Sequence, residues 1–142
     1  MYCAVTQRLL IRSPQDVKNQ LLPDLSVTVE FLALGGISLM EHLIGYERAI
    51  LIDAIASDRE PGTVITSNLM ELPDVSAFHT TSAHDTSLQN ALKLGKALGA
   101  DLPAQVDVVG VVTDPVYDFS EDLSLPVSQA ISKATQIVID LL

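Results

Sequence analysis

Blocks of apolar residues, separated by short polar turns, recur along most of the chain. The clearest block is RAILIDAI, residues 48–55, in which four apolar residues run without a break into Asp53. Its continuous apolar character predicts an interior strand of a parallel sheet, buried on both faces. The segments SVTVEFLAL, GTVITSN and QVDVVGVVT predict three more strands. Because only a short turn precedes GTVITSN, that strand can lie antiparallel at an edge of the sheet.

Apolar residues at helical spacing predict four helices between and after these strands. SPQDVKNQLLPD and SLMEHLIGY are short, and we expect Gly45 to end the second of them. SAHDTSLQNALKLGKALG carries a capping-box pattern at Ser82 and Asp85 and ends at Gly99. LPVSQAISKATQIVIDLL is expected to pack on the sheet as the C-terminal helix. The predicted apolar stripe of the third helix comprises Leu88, Ala91, Leu92, Gly95 and Leu98.

The alternation of helices and strands predicts a single α/β domain over residues 1–142, a three-layer sandwich with a mostly parallel twisted sheet. The first twelve residues, MYCAVTQRLLIR, fit either a strand or the end of a helix. One interior strand contributes several kcal/mol through apolar burial, an amount comparable with the net stability of a whole domain. Unless this segment supplies a strand, we therefore expect a weakly stable protein.

Composition limits the partners that the chain can bind. Its 18 acidic and 8 basic residues give a formal net charge of −10, which argues against binding to nucleic acid or to an anionic membrane surface. Cys3 is the only cysteine, so no internal disulfide can form, and no apolar run reaches the roughly 20 residues of a membrane span. We therefore expect a cytoplasmic protein. We also expect a monomer, because the predicted elements leave no apolar stripe exposed.

Two side chains are candidates for metal binding. Ligands of open parallel sheets bind beyond the carboxyl ends of the strands, and Asp53 closes the apolar run of its strand. His84 falls in the first turn of the predicted third helix, where the helix dipole favours the neutral, metal-binding imidazole. If both side chains face one crevice, they offer two ligands to a transition metal. The alternatives are that Asp53 only caps a loop and that His84 is a surface residue.

Other signs of catalytic chemistry are missing from the sequence. His42, on a short predicted helix, and His79, in an unassigned loop, are spare imidazoles. There is no Walker loop, no G-x-S-x-G elbow and no G-x-G-x-x-G after a strand. Cys3 fits a buried or incidental thiol better than a nucleophile. The residues alone therefore indicate a candidate metal site and assign no catalytic residue.

The order of five segments resembles the hydrogenase maturation protease family. These segments are GGISLMEHLIGYERAILIDAI, EPGTV, SAHDTSLQNALKLGKALG, VDVVGVVTD and LSLPVSQAI, and the likeness extends from about Leu21 to Leu142. The resemblance implies a nickel-dependent endopeptidase that removes the C-terminal extension of a nickel–iron hydrogenase large-subunit precursor. It also implies that Asp53 and His84 contact nickel that the precursor already carries, so that the metal arrives with the substrate.

The chain departs from the family pattern in two places. The family begins with a strand, a G-x-G-N loop and an acidic D-D/E-x-x-G segment that supplies a third metal ligand, and the matching position here falls near Thr6. The sequence Leu-Gly-Gly-Ile stands where the family has Asp-Gly-Gly-Thr, and we expect Gly35 and Gly36 to contact the substrate. The chain is then either truncated at its N-terminus or a degenerate relative that binds the nickel-loaded large subunit without cutting it. A flavodoxin-like regulatory domain is a third interpretation, although the chain lacks a phosphate-binding loop.

Overall fold

The computed structural model of the protein describes residues 27–73, 86–114 and 123–142, together with the backbone of residues 2–7. In this part of the chain, five strands form one sheet, accompanied by three α-helices and one short 3-10 helix. The strands are β1 (Tyr2–Gln7), β2 (Val27–Phe31), β3 (Arg48–Ile55), β4 (Val64–Asn68) and β5 (Gln105–Val112). The α-helices are α1 (Gly36–His42), α2 (Leu88–Ala97) and α3 (Leu125–Leu141), and the 3-10 helix is Leu69–Glu71.

The sheet has the strand order β2-β1-β3-β5-β4. β1 is parallel to β2 and to β3, β3 is parallel to β5, and only β4 is antiparallel to its neighbour. The predictions of a mostly parallel sheet and of an antiparallel edge strand at GTVITSN are therefore confirmed. The physical reason lies in the turn over residues 56–63, because a parallel crossover needs roughly a dozen residues or more.

β3 has the predicted bounds and lies inside the sheet, paired with β1 on one side and with β5 on the other. Its side chains alternate between two cores. Ala49 joins the core beneath α1 and α2, whereas Ile50 and Ile52 join the core beneath α3. A strand that is covered on both faces has no polar side to expose, which explains its apolar sequence.

The helices cover both faces of the sheet, so the predicted three-layer sandwich is confirmed. The core between the sheet and the helices α1 and α2 contains Leu39, Met40, Leu43, Ala49, Ala91, Leu92 and Val106. The core between the sheet and α3 contains Ile50, Ile52, Val109, Val111, Val127, Ala130, Ala134 and Val138. No helix in the described residues has both the length and the apolar character needed to cross a membrane.

The N-terminal residues supply a strand inside the sheet. β1 lies between β2 and β3 and runs parallel to both. Of the two expectations for MYCAVTQRLLIR, the strand is thus confirmed for residues 2–7, and the expectation of a weakly stable protein loses its premise. The helix predicted at SPQDVKNQLLPD lies outside the described residues.

The boundary between β2 and α1 differs from the prediction. The last three residues of the predicted strand, LAL, form a loop that leads through Gly35 to Gly36, where α1 begins. α1 ends at His42, and Gly45 adopts a left-handed φ of 86° beyond the C-cap Leu43 rather than at the cap itself. Leu39, Met40 and Leu43 are buried, so this side of the helix and its C-cap face the core.

α2 begins later than the sequence predicts. The capping-box pattern at Ser82 and Asp85 predicted a start near residue 83, but the first helical residue is Leu88. Ser87 is the N-cap, and its hydroxyl oxygen accepts a hydrogen bond of 3.2 Å from the backbone N–H of Asn90. The predicted cap at Ser82 is therefore wrong for this helix, because a serine five residues further along satisfies the free N–H groups.

A serine-to-alanine comparison at two N-caps tests this assignment. Ser87→Ala is expected to lower the free energy of unfolding by about 1 kcal/mol, because it removes the hydroxyl that caps α2. Ser124, the N-cap of α3, makes no side-chain capping hydrogen bond, so Ser124→Ala is the matched control with little expected effect. Urea denaturation of both variants measures the difference. An equal loss at the two positions would contradict the assignment of Ser87.

α2 ends at the predicted glycine in a Schellman motif. Gly99 has a φ of 83°, and its N–H donates a 3.1 Å hydrogen bond to the carbonyl of Lys96. The N–H of Ala100 donates to the carbonyl of Gly95 at 2.9 Å. Leu98 is 78% exposed, so its predicted place in the apolar stripe is wrong: it is the C-cap, where the chain already leaves the helix. The buried members of the predicted stripe are Ala91, Leu92 and Gly95.

Candidate functional site

Asp53 lies near the carboxyl edge of the parallel strands, two residues before the end of β3. Its Cα neighbours in the sheet are Gln7 in β1 and Gly110 in β5. Since Ala49 and Leu51 join the core beneath α1 and α2, side-chain alternation places Asp53 on that same face. The carboxylate is thus placed at the edge of the sheet where ligands of parallel α/β folds bind.

Among the described residues, only one oxygen of the Asp53 carboxylate has a hydrogen-bond partner. Oδ1 accepts a 2.8 Å hydrogen bond from the backbone N–H of Ala54. No other hydrogen bond or ion pair to this side chain is found among the described residues. Within this part of the chain, Oδ2 is therefore free to act as a single ligand atom for a cation.

Burial raises the pKa of the Asp53 carboxyl above its ordinary value of 3.8, and the hydrogen bond from Ala54 opposes part of this rise. Burial disfavours the charged form because the carboxylate loses hydration that the protein replaces only partly. A raised pKa in a partly buried acid at a strand end is typical of functional carboxylates, since structural ones are usually paired.

The raised pKa of Asp53 predicts how the free energy of unfolding depends on pH. Because folding raises the affinity of this group for a proton, the Asp53 charge costs stability as the pH rises through the folded pKa. Asp53→Asn keeps an oxygen for the Ala54 N–H but carries no charge, so this variant is expected to be more stable than the wild type at neutral pH. The advantage should disappear as the pH falls to 3.8 and below. Urea titrations over a pH series measure it, and an advantage that grows in acid would contradict the prediction.

The loop between β2 and α1, which contains Gly35 and leads to Gly36, meets the start of α2 at the edge of the sheet where Asp53 lies. Gly36, with a φ of +51°, is packed so closely that a Cβ atom there would overlap the carbonyl oxygen of Thr86. Gly35, by contrast, has an extended backbone and open space where its Cβ would be. The predicted substrate contact by Gly35 and Gly36 stays a prediction, and the two glycines have different surroundings.

Of the three histidines, only His42 is among the described residues. His84 and His79 lie outside the described residues, so the convergence of Asp53 and His84 on one crevice stays a prediction. The placement of His84 in the first turn of α2 is wrong, because that helix begins four residues later. His42 binds Glu30 of β2 through its Nε2 atom. Within the described residues, no three His, Cys, Asp or Glu side chains are grouped so as to hold a metal ion.

Two neighbours of Asp53 were not singled out by the sequence analysis. Gly110 lies directly beside Asp53 in β5, and the side chain of Ile55 occupies the space above this glycine. A glycine inside a strand pattern such as DVVGVVT is a recognised sign of close packing, so Gly110 could have been found. Gln7 could not, because strand register across a sheet depends on residues far apart in the sequence.

Comparison with known sequences finds one family. A family model described as hydrogenase maturation protease matches residues 17–141. The hydrogenase expression/formation protein HoxM of Azotobacter vinelandii is 28% identical over 107 residues, which cover 75% of this chain and 51% of that protein. HupM of Azotobacter chroococcum mcd 1 is 30% identical over 104 residues, which cover 73% of this chain and 49% of that protein. The chain spans about half the length of these curated relatives.

Solved structures share the fold. The hydrogenase maturating endopeptidase HybD from E. coli superposes with a TM-score of 0.68 at 24% identity, over 100% of this chain and 92% of that one. The hydrogenase 2 maturation peptidase from Thaumarchaeota archaeon SCGC_AB-539-E09 superposes with a TM-score of 0.59 at 26% identity, over 99% and 96% of the two chains. The three-layer arrangement described above is therefore the arrangement of these peptidases.

Proposed function

The chain belongs to the hydrogenase maturation protease family, and on that premise we propose that it is a nickel-dependent endopeptidase. Its substrate in this proposal is the large-subunit precursor of a nickel–iron hydrogenase, from which it removes the C-terminal extension. The observation that carries the proposal is Asp53, a partly buried carboxylate at the ligand-binding edge of the sheet, one oxygen of which has no partner among the described residues.

Nickel enters this proposal as part of the substrate. Asp53 contacts it through Oδ2, and His84 supplies a second contact as a neutral imidazole, since carboxylate and imidazole are both common ligands of divalent transition metals. The contact between Gly36 and Thr86 supports this pairing, because Thr86 is two residues from His84 and lies at the same edge as Asp53. These two contacts position the nickel-loaded precursor on the protein. The proposal assigns no general base.

A second candidate function is supported by the register of β1. The β1 residues nearest to Asp53 are Gln7, directly beside it, and Thr6, which pairs with Ile52. Both residues are neutral, whereas the resemblance predicts an acidic third ligand at this end of the chain. A protein with two of three ligands fits a binding protein that holds the nickel-loaded large subunit without cutting it.

One experiment separates the two candidates. The protein is mixed with precursor that carries nickel and, as the matched control, with the same precursor prepared without nickel. Mass spectrometry follows the C-terminal extension, and co-purification follows the complex. Loss of the extension only from the nickel-loaded precursor is the result expected for the endopeptidase. A nickel-dependent complex with an intact extension would favour the binding protein. The absence of both results would contradict both candidates.

Oligomeric state and location remain predictions from the sequence. We expect a monomer, which sedimentation velocity measures directly. We expect a cytoplasmic protein, because the only cysteine cannot form an internal disulfide. Fractionation of the source cells tests the location.

A further inference from the structure

Ile55 and Gly110 form a close contact between β3 and β5, next to Asp53. A Cβ atom added to Gly110 would lie 2.5 Å from Cδ1 of Ile55, 3.0 Å from its Cγ1 and 3.1 Å from its Cγ2. Three atoms of one side chain thus occupy the position that any other residue at 110 would need. Ile55 therefore leans back along the sheet onto a residue that lies two rows before its own partner, Val112.

The same contact lies beside Asp53 in the sheet. Asp53 and Ile55 are two residues apart in β3, so both side chains project from the face that carries α1 and α2. Gly110 is the direct Cα neighbour of Asp53 and has no side chain of its own. Ile55 therefore covers the position beside Asp53 on the β5 side at which residue 110 contributes no side chain.

We propose that Ile55, packed on Gly110, is a positioning residue for Asp53. It keeps the carboxylate in the conformation in which Oδ1 accepts from Ala54, and so leaves Oδ2 facing the nickel of the substrate. The inference rests on the proposed function for the identity of the ligand. Its structural part, the fixed conformation of Asp53, can be measured without the substrate.

The pair explains why each residue type stands where it does. A shorter side chain at 55 would open a gap beside the carboxylate, and water could then compete with Ala54 for Oδ1. A side chain at 110 would push Ile55 outward by the overlaps given above. A β-branched residue suits position 55 because its stiff χ1 keeps the filling atoms in one place.

The first test compares two isoleucines of the same strand. Ile55→Ala is expected to raise KM for nickel-loaded precursor about tenfold, the scale of residues that orient a metal ligand, with a smaller change in kcat. Ile52→Ala, on the opposite face and 2% exposed, is the matched control. It should lose more stability but keep the wild-type KM below its melting temperature. An unchanged KM in Ile55→Ala, or an equal rise in Ile52→Ala, would overturn the proposal.

Conservative changes separate positioning from general packing. Ile55→Val loses Cδ1 but keeps both γ carbons, and it should retain a KM near that of the wild type. Gly110→Ala should raise KM as Ile55→Ala does, and adding Ile55→Val should restore part of the loss, because the atom nearest to the new methyl group is then absent. If the double variant shows no recovery although its melting temperature rises, the contact does not position Asp53.

A measurement on the free protein keeps this inference separate from the proposed function. Three-bond couplings of the Asp53 β-protons report whether the side chain holds one χ1 rotamer. A single rotamer in the wild type and in Ile52→Ala, with averaging in Ile55→Ala, supports the positioning role even if the wild type removes no extension. Averaging in the wild type would overturn it even if the wild type proves to be the proposed endopeptidase.

Discussion

Asp53→Asn is expected to reduce removal of the C-terminal extension from nickel-loaded precursor by at least about 100-fold, the upper end of the loss seen when groups around a metal site are removed. An asparagine matches the aspartate in shape and still accepts from the Ala54 N–H, but its neutral oxygen is a poor ligand for nickel. The variant should be at least as stable as the wild type at neutral pH, because the charge that it removes is a partly buried one whose pKa is raised by burial. The loss of activity could therefore not be explained by unfolding of the variant.

Asp107→Asn is the matched control, because it changes another strand aspartate in the same way. Asp107 is 5% exposed and accepts a 3.1 Å hydrogen bond from Arg48 and two from the Gln105 side chain. It lies on the α3 face, three rows or about 10 Å from the row of Asp53. This variant should lose about 1–3 kcal/mol of stability and keep the cleavage activity. Wild-type activity in Asp53→Asn, or an equal loss in both variants, would contradict the site.

The strands were predictable because their sequence pattern depends on burial, which is nearly the same for every interior parallel strand. β3 shows this: its eight residues were predicted with the observed bounds, because a strand covered on both faces tolerates few polar residues. The position of Asp53 followed from the same reasoning. A charged residue inside such a run is costly unless it reaches the edge of the sheet.

The start of α2 could not be predicted because two serines compete as N-caps. Ser82 and Asp85 form a better capping-box pattern than Ser87 and Asn90, yet Ser87 is the N-cap. The deciding interactions are not local. The Gln89 side chain donates hydrogen bonds of 2.6 and 2.8 Å to carbonyls of residues 69 and 72, which tie the first turn of the helix to the segment after β4. A pattern within one segment of the sequence cannot predict such contacts with another segment.

The surroundings of Asp53 were the least predictable part of the site. Gln7, Asp53 and Gly110 come from three strands that are far apart in the sequence, and only the register of the sheet makes them neighbours. A shift of one residue in β5 would replace Gly110 with a valine and turn every side chain of that strand to the other face. The sequence could therefore name the acid and could not name what flanks it.

Gly36→Ala is expected to lower the free energy of unfolding by about 2–5 kcal/mol, a large part of the stability of a domain of this size. Two costs add at this position. The φ of +51° is strained for any residue with a Cβ, and the added methyl group would overlap the backbone carbonyl of Thr86. A backbone atom cannot rotate away as a flexible side chain can, so relief requires that α1 and the start of α2 move apart.

Two other glycines separate these costs. Gly45→Ala has a φ of +86° but open space around the new methyl group, so it should lose only the conformational part, about 1–2 kcal/mol. Gly35→Ala has neither cost, and its stability should stay within about 0.5 kcal/mol of the wild type. Urea denaturation ranks the three variants, and equal losses in Gly36→Ala and Gly45→Ala would contradict the close approach to Thr86. Because Gly35→Ala leaves the fold intact, a slower removal of the extension by this variant would also be direct support for substrate contact at Gly35.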